Sequence, residues 1–365
     1  MAELKAASHT AASVTDAPAC APDIRHLAYL DGWRGLAIAL LLIGHFFPVP
    51  GINLGRVGVN FFFVLSGLLM SQLLFVKEVP IAHFYKRRIS RVFPLFYVFL
   101  TVMVLIALAL GRHVDWREVV SAALFVNNYV QGDSAHLTLP FGHIWSLSVE
   151  EQSYVLLSLI ALGARRGWWR ASRGIALCAG LMILACICYG QMYEGSKLEF
   201  QMFYHSEIAA FGIFASALLQ LHFSTRRVPA LPAPLYPLLM LAALMLAWWS
   251  VPLTISAICS VGVLALLVNL LAAAPAPVKK ALSFYPLRQL GLWSFSLYIW
   301  QQAFYLLHYR QGMPSLTALA LALATGICSY YLLEKPVRNY LNARWAGKSE
   351  TDSAAPGLPI SASDR

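Results

Sequence analysis

Apolar runs of about 20 residues, the length of a helix that crosses a bilayer, constrain this chain more than any other feature of its sequence. They recur along the chain, and hydrophobic residues make up 59% of it against 12% charged residues. A backbone that enters hydrocarbon must satisfy its hydrogen bonds internally, which runs of this length do as helices. The sequence therefore predicts an all-α, polytopic membrane protein.

We expect about ten transmembrane helices between two polar tails. Residues 1–24 and 347–365 are rich in Ala, Ser, Thr, Pro and charge, so we predict that they are disordered and flank a transmembrane domain of residues 25–346. The predicted helices cover residues 33–49, 57–75, 92–110, 144–163, 174–192, 202–221, 235–250, 254–273, 288–307 and 315–333.

Lysine and arginine are distributed unequally between alternate loops, and this sets the expected orientation. Loops on one side hold most of the positive charge, with the densest group in the segment YKRRISR, whereas the opposite loops hold five of the 27 Lys and Arg residues. Cytoplasmic loops carry such an excess, so both termini are predicted to be cytoplasmic. The net charge of +10 is thus a topology signal, and no nucleic-acid partner is expected.

The cysteines have neither zinc-site spacing nor the pattern of a disulfide framework. Five of the six lie inside apolar runs, where we interpret them as small core residues. No metal site is expected. The cysteines are Cys20, Cys178, Cys186, Cys188, Cys259 and Cys328.

The first apolar run, LDGWRGLAIALLLIGHFF, contains two ionisable residues, Arg34 and His45. Such residues are costly in hydrocarbon and are usually kept for a function. Eleven residues of α-helix turn through about 1100° and rise roughly 16 Å, so the two side chains share one face. We expect Arg34 to hold an anionic group at the cytoplasmic mouth and His45 to do chemistry deeper in the bilayer. The alternative is a snorkelling arginine and a histidine bonded to a neighbouring helix.

Glu150 lies near the start of the fourth run, GHIWSLSVEEQSYVLL. Helix arithmetic places it about 21 Å from the cytoplasmic side of a core about 30 Å thick, against about 18 Å for His45. A carboxylate at matching depth would orient the imidazole and make it a better base. Glu151, about 100° around the same helix, is the next candidate. The alternative is a pair of interfacial glutamates wetted from outside.

Six blocks of the sequence together resemble a known family. In order they are RGLAIALLLIGH, GVNFFFVLSGLL, FYKRRISRVFP, HIWSLSVEEQSY, SFSLYIWQ and LLEKPVRNYL. They resemble the motifs of bacterial acyltransferase family 3, the membrane-bound acyltransferases related to O-antigen and exopolysaccharide O-acetyltransferases. The resemblance implies transfer of an acyl group, commonly acetyl, from cytoplasmic acyl-CoA to a hydroxyl of a cell-surface polysaccharide, lipid-linked sugar or related glycan, in the bacterial cytoplasmic (inner) membrane.

The resemblance also implies roles for particular residues. The family's critical arginine and histidine fall on Arg34 and His45, its arginine pair on Arg88 and Arg91, and its acidic block on the two glutamates of the fourth run. The three arginines are expected to bind the phosphates of acyl-CoA, because guanidinium forks suit phosphate oxygens. Alternatively, Arg88 and Arg91 serve only the positive-inside rule.

Three positions depart from the family pattern, so we expect acceptor recognition to differ while the core chemistry is kept. Asn60 replaces a frequent aspartate, Gln301 a frequent histidine, and His205 an arginine two residues before an acid. Candidate acceptor-binding or supporting residues are Asn60, Trp145, Ser146, Glu151, Tyr154, Glu207 and Gln301.

The resulting hypothesis is that His45, oriented by Glu150, deprotonates the acceptor hydroxyl as it attacks the thioester of acyl-CoA, a co-substrate rather than a tightly bound cofactor. A relayed acyl intermediate, for example on Ser66, is the alternative to direct transfer. The acyl group and the acceptor stay open. Two rival functions are a proton-coupled transporter or flippase that uses His45 and Glu150 as a relay, and a non-catalytic subunit of polysaccharide export.

Overall fold

The computed structural model describes residues 27–130, 138–193 and 201–353. Within these ranges the chain is helical and forms no β-strand, apart from an isolated bridge between Ile52 and Trp248. Each predicted apolar run overlaps helical structure, although runs 33–49 and 235–250 extend past helices that end at Phe46 and Leu246. The expected all-α class is therefore confirmed.

The first half of the chain contains most of the long helices. Short connections separate most of them, and two short helices lie between the third long helix and the helix that bears the acidic block. The elements are α1 (Ala28–Phe46), α2 (Leu54–Ser71) with a π-helical turn (Gln72–Val76), α3 (Ile81–Ala109), α4 (Trp116–Ala123), α5 (Asn127–Val130), α6 (Ile144–Arg165) and α7 (Ala171–Tyr193).

The second half alternates short and long helices. The elements are a 3₁₀ turn (Gln201–Tyr204), α8 (Ser206–Ala209), α9 (Phe211–Ser224), α10 (Leu235–Leu246), α11 (Leu253–Ile255) with a π-helical turn (Ser256–Ser260), α12 (Val261–Leu270) with a 3₁₀ turn (Leu271–Ala273), α13 (Ala276–Leu282), α14 (Tyr285–Gln311), α15 (Ser315–Ser329) with a π-helical turn (Tyr330–Glu334), and α16 (Lys335–Ser353).

Six helical stretches of the described chain are long and apolar enough to cross a membrane. Helices α1, α6 and α14 are of comparable length but carry charged residues, and α10 is a shorter apolar helix. The number of ten crossings and the cytoplasmic termini stay predictions. The six stretches are Leu54–Val76, Ile81–Ala109, Ala171–Tyr193, Ser206–Ser224, Leu253–Ala273 and Ser315–Trp345.

Large apolar side chains cover much of the outer surface of these helices. Met192, Leu316 and Leu332 are 70%, 72% and 79% exposed, respectively. Water would penalise so much exposed hydrocarbon, whereas lipid tails are as apolar as the side chains themselves. The outer surface of the bundle is therefore suited to contact with lipid tails.

Helix α1 is the centre of the bundle. It packs most extensively against α14 and α2, while α15 covers α14 and α9 covers α2. On the far side of α9, α12 and α10 complete the row. Helices α3 and α6 contact α14 and α2, respectively, which encloses a polar interior between α1, α2, α3, α6 and α14.

Glycines let α1 and α14 approach until their backbones touch. A Cβ atom at Gly35 would lie 1.8 Å from the carbonyl oxygen of Leu287, and one at Gly291 would lie 1.9 Å from the carbonyl oxygen of Asp31. Small residues at helix crossings are the usual means of close packing in membranes. This contact fixes which face of α14 meets the functional face of α1.

The predicted polar tails and their boundaries stay predictions. Residues 1–24 lie outside the described residues, so the predicted leader is not tested. Helix α16 continues to Ser353, into the segment 347–365 that was predicted to be a disordered tail. Residues 354–365 again lie outside the described part.

We predict that Gly291→Val destabilises the bundle by roughly 1–3 kcal/mol or more, because the added side chain would push α14 away from the backbone of α1. Gly180→Ala in α7 is the matched control, since a Cβ there meets no atom within 4 Å and alanine favours the helix. Thermal unfolding of both purified variants in detergent measures the difference. An unchanged midpoint for Gly291→Val would contradict this account of the crossing.

Candidate active site

Two adjoining cavities occupy the polar interior. The smaller, of about 100 Å³, is lined by residues of α1, α2, α3, α6 and α14, and we call it the arginine cavity. The larger, of about 1110 Å³, is bounded by α1, α2, α14 and the loops before α6 and α11, and we call it the histidine cavity. Val59 and Tyr298 line both, so they form the wall between the two.

The three arginines that the sequence singled out meet in the arginine cavity. Arg34 reaches it from α1, and Arg88 and Arg91 reach it from α3, where a spacing of three residues puts them on one face. The sequence analysis expected these side chains at one mouth, and the structure brings them together.

Arg88 is bound by both glutamates of α6. Its Nη2 donates to Oε2 of Glu150 at 2.8 Å, and its Nε donates to Oε1 of Glu151 at 2.7 Å. The guanidinium also lies over the ring of Tyr154, 4.4 Å from its centroid. All three charged side chains are at most 13% exposed, so this pairing gives each of them a partner of opposite charge inside the bundle.

The other hydrogen bonds of Glu150 also lie in the arginine cavity. Its Oε1 accepts from the Ser66 hydroxyl at 2.9 Å, and its Oε2 also accepts from the Tyr154 hydroxyl at 3.2 Å. The carboxylate thus ties α2, α3 and α6 together. The Ser66 hydroxyl, which we considered as an acylation site, is a donor to this carboxylate.

The other two arginines have different environments. Nη1 of Arg34 donates to Oδ1 of Asp31 at 2.9 Å, one turn earlier in α1. Arg91 makes neither a hydrogen bond nor an ion pair within the described chain, although Glu334 is among the charges near it. Arg91 therefore has the guanidinium most available to a ligand in this cavity.

His45 lies in the histidine cavity and is held by α14. Its Nδ1 is 2.7 Å from Oε1 of Gln301, and its ring stacks on Tyr305 with centroids 4.5 Å apart. The Gln301 amide nitrogen points to Oε1 of Gln302, at 3.4 Å, so Gln301 Oε1 is the acceptor and His45 Nδ1 carries the hydrogen. Nε2 is then the unprotonated nitrogen, available as a base.

The predicted pairing of His45 with Glu150 is therefore wrong. Helix arithmetic predicted similar depths for the two residues, but Glu150 faces the arginine cavity and is held by Arg88, whereas His45 faces the histidine cavity. Depth along a helix does not fix the direction of a side chain around its axis. The partner of His45 is Gln301, which the sequence analysis had named among the supporting residues.

Close packing against α2 also fixes the imidazole. A Cβ at Gly55 would lie 3.1 Å from both Cδ2 and Nε2 of His45, so the ring rests on the backbone there. Together with Tyr305 on one side and Gln301 at Nδ1, this leaves the imidazole one well-defined orientation.

Aromatic side chains line much of the histidine cavity. The rings of Trp145 and Tyr204 lie 5.0 Å apart at their centroids, and Trp248 and Tyr309 contribute to the wall. This cavity is large enough for a ligand with several rings. Aromatic faces combined with a few polar groups suit a hydroxylated ligand whose surface has both CH and OH groups.

Tyr298 is the polar part of the wall between the cavities. Its hydroxyl contacts the Ser146 hydroxyl and donates to the backbone carbonyl of His143. Tyr298 is buried, and its ring packs against those of Phe62 and His143. These contacts hold the ring at the place where a molecule bound in one cavity would meet a molecule bound in the other.

The remaining predicted residues divide between the two cavities, with one exception. Asn60 and Trp145 line the histidine cavity, whereas Ser146 and Tyr154 line the arginine cavity. Glu207 lines neither. It accepts hydrogen bonds from the Tyr129 and Tyr189 hydroxyls and contacts Nδ1 of His205, all away from both cavities.

Sequence reasoning missed Tyr298, His143 and Arg56 as cavity residues. Tyr298 and Tyr305 were detectable, because with Gln301 they follow the three-to-four-residue spacing of one face of α14. His143 lies in the acidic block, and neither of its buried ring nitrogens has a hydrogen-bond partner within the described residues. Arg56 is one of the five positive charges that were assigned to the opposite loops, and the structure places it in α2.

Metal ligands do not cluster in the described part of the chain. It contains no group of three or more His, Cys, Asp or Glu residues that could hold a metal ion. Its five cysteines, at positions 178, 186, 188, 259 and 328, are free thiols.

The fold and the site define a helical membrane protein whose interior holds arginines, carboxylates and a histidine around two adjoining cavities. The family described as "Acyltransferase domain" matches residues 27–334 of this chain, and the chain belongs to that family. The resemblance seen in the sequence motifs is thereby confirmed.

Similar proteins carry names that refer to O-acetylation. Peptidoglycan O-acetyltransferase OatA of Listeria monocytogenes is 23% identical over 313 residues, which cover 76% of this chain and 49% of that protein. Putative peptidoglycan O-acetyltransferase YrhL of Bacillus subtilis is 24% identical over 350 residues, covering 86% and 55%. O-acetyltransferase OatA of Staphylococcus aureus is 29% identical over 150 residues, covering 37% and 25%.

The matched regions cover about half the length of the first two relatives and a quarter of the third. No solved structure matches this chain.

We predict that Arg88→Met lowers the free energy of unfolding by about 3–5 kcal/mol, because it leaves two buried carboxylates without a counterion. The triple variant Arg88→Met, Glu150→Gln, Glu151→Gln should recover most of that loss, since it removes all three charges of this cluster. Tryptophan fluorescence during thermal unfolding measures both. A single variant no less stable than the triple variant would show that the ion pair does not support the site.

Proposed function

We propose that this protein transfers an acyl group, with acetyl as the first to test, from acyl-CoA to a hydroxyl of a glycan. The donor binds at the arginine cavity, which the predicted topology places toward the cytoplasm, and the acceptor binds in the histidine cavity. The observation that carries the proposal is that Val59 and Tyr298 line both cavities, because this puts two different ligand sites side by side inside one bundle.

The arginine cavity suits the phosphates of CoA. Arg91 has a guanidinium that is not committed to a carboxylate within the described residues, and Arg34 shares the cavity with only Asp31 as its ion partner. Phosphate oxygens accept paired hydrogen bonds from guanidinium groups. Arg88 has a different role in this proposal: bound to two glutamates, it holds the cavity walls together.

His45 is the proposed general base. Nε2 takes the proton of the acceptor hydroxyl while that oxygen attacks the thioester carbonyl. The carbon–sulfur bond then breaks, and the sulfur leaves as the CoA thiol after receiving the proton from the imidazolium. Gln301 keeps the hydrogen on Nδ1 throughout, so the ring presents the basic nitrogen to the acceptor.

Glycan is the proposed acceptor class for two reasons. The histidine cavity combines aromatic rings with Asn60 and other polar groups, an arrangement suited to sugar rings. In addition, two related proteins are named as peptidoglycan O-acetyltransferases, one of them as putative. We place the protein in the bacterial cytoplasmic membrane, where it would modify a polysaccharide or lipid-linked glycan.

Release of CoA thiol tests the proposal directly. The full chain, purified into lipid nanodiscs, is mixed with acetyl-CoA and a hydroxyl-bearing oligosaccharide, and free thiol and acceptor mass are followed together. Thiol release that depends on the acceptor, with a mass gain equal to one acetyl group, is expected. No acetylated product with any glycan, with transport of one instead, would overturn the proposal in favour of a carrier.

We predict that His45→Gln lowers the transfer rate by about 100- to 10,000-fold, the usual contribution of a general base. Gln301→Leu should lower kcat by at least about tenfold while leaving the KM for acetyl-CoA nearly unchanged, because it disturbs the orientation of the base and not the donor cavity. Steady-state kinetics separate the two parameters. Equal activity of His45→Gln and wild type would exclude the assigned base.

We further predict that Arg91→Gln raises the KM for acetyl-CoA by about tenfold or more, and that Arg91→Lys recovers only part of the loss, because an ammonium cannot form a bidentate fork. Arg173→Gln is the control, since Arg173 is exposed at the start of α7 and lines neither cavity. Kinetics at fixed salt concentration measure all three variants. Full activity of Arg91→Lys would reduce the role of Arg91 to charge alone.

A further inference from the structure

The described residues that line the histidine cavity include two arginines and no carboxylate. Arg56 and Arg310 are the charged side chains that line it, and no Asp or Glu occurs among its lining residues in the described chain. Asn60, which stands where the family often has aspartate, also faces this cavity. A carboxylate at that position would offset the charge of Arg56, so its absence leaves the cavity more positive.

Arg56 is held in place without being neutralised. Its guanidinium lies over the ring of Phe203, 3.7 Å from the centroid, while its backbone N–H donates to Asn53 at the start of α2. Within the described residues this guanidinium has no hydrogen bond and no ion pair. A cation in a partly buried, aromatic-lined site is costly unless an anion accompanies it, so a ligand is expected to supply that anion.

The same cavity contains the proposed base. The His45 ring rests on Gly55, the residue directly before Arg56, and both side chains line the cavity. If Arg56 binds a negative group of the acceptor, a neighbouring hydroxyl of the same acceptor can therefore reach the imidazole of His45. Arg56 is a specificity-determining residue in this arrangement, and His45 remains the group that reacts.

We propose that the acceptor is an anionic glycan, whose carboxylate or phosphate group is bound by Arg56 in the histidine cavity. This inference rests on the proposed acyl transfer and adds the charge of the acceptor. A carboxylate and a phosphate present the same chemistry to a guanidinium, namely two oxygens that accept paired hydrogen bonds. The experiment below distinguishes a carboxylate from a phosphate as the group that carries the charge.

Three disaccharides that share one glucose ring provide the probes. Their second ring is glucose, glucuronate or glucose 6-phosphate, so they differ only in the group at C6 of that ring, which is a hydroxymethyl, a carboxylate or a phosphate ester. Transfer from acetyl-CoA and acceptor binding are measured for the full chain in nanodiscs at fixed salt concentration. Wild type is expected to prefer a charged probe to the neutral one by about tenfold or more, and the preferred charged probe identifies the anion.

Arg56→Gln should reduce that preference ratio by about tenfold, and Arg56→Lys should retain part of it. Asn60→Asp should also reduce it, because the new carboxylate repels the anion and pairs with the cation. Arg112→Gln removes the same charge from an exposed position outside both cavities, and its ratio should equal that of wild type.

Other outcomes overturn the inference. Equal binding of the neutral and the charged disaccharides by wild type would contradict the anionic acceptor while leaving the proposed acyl transfer intact. A raised KM for acetyl-CoA in Arg56→Gln, with an unchanged acceptor ratio, would assign Arg56 to the donor instead. Binding of the charged disaccharides without transfer of acetyl to any acceptor would overturn the proposed function while supporting the anion site.

Discussion

The ion pair of Arg88 with Glu150 and Glu151 is the interaction on which the polar interior depends. An arginine from α3 reaches two carboxylates on α6, and Ser66 of α2 binds one of them. Three helices are thereby joined around a cavity that would otherwise hold unpaired charges in a low-dielectric setting. Because Glu150 and Glu151 compensate the charge of Arg88, the arginine cavity can also hold Arg91 for a ligand without repulsion between arginines that would destabilise the bundle.

The close crossing of α1 and α14 has an equally direct consequence for chemistry. Glycines at the crossing bring the two backbones into contact, so the polar face of α14 lies beside the face of α1 that bears His45. Gln301 then meets the imidazole, and Tyr298, one turn earlier on α14, reaches the wall between the cavities. One packing contact thus positions the proposed base and separates the two ligand sites.

Separation of the cavities gives the proposed reaction a spatial order. A nucleotide-bearing donor requires phosphate contacts, which arginines supply, whereas a glycan requires broad aromatic surfaces and hydroxyl partners. A single cavity would have to present both charged groups for the donor and apolar surfaces for the glycan. Two cavities that meet at Val59 and Tyr298 avoid this conflict, and they limit the reaction to the atoms that can reach the shared wall.

The sequence by itself determined the helical membrane class and the shared face of Arg88 and Arg91, because hydrophobic run length and helical spacing are local properties. The family motifs implied that Arg34 joins them. The sequence did not determine that Glu150 serves Arg88 while Gln301 serves His45. Equal depth in the bilayer left the rotation of α6 about its axis open, and only the packing of neighbouring helices fixes that rotation. For the same reason, the cavity position of Arg56 emerged only when α2, α14 and the loops between the helices were brought together.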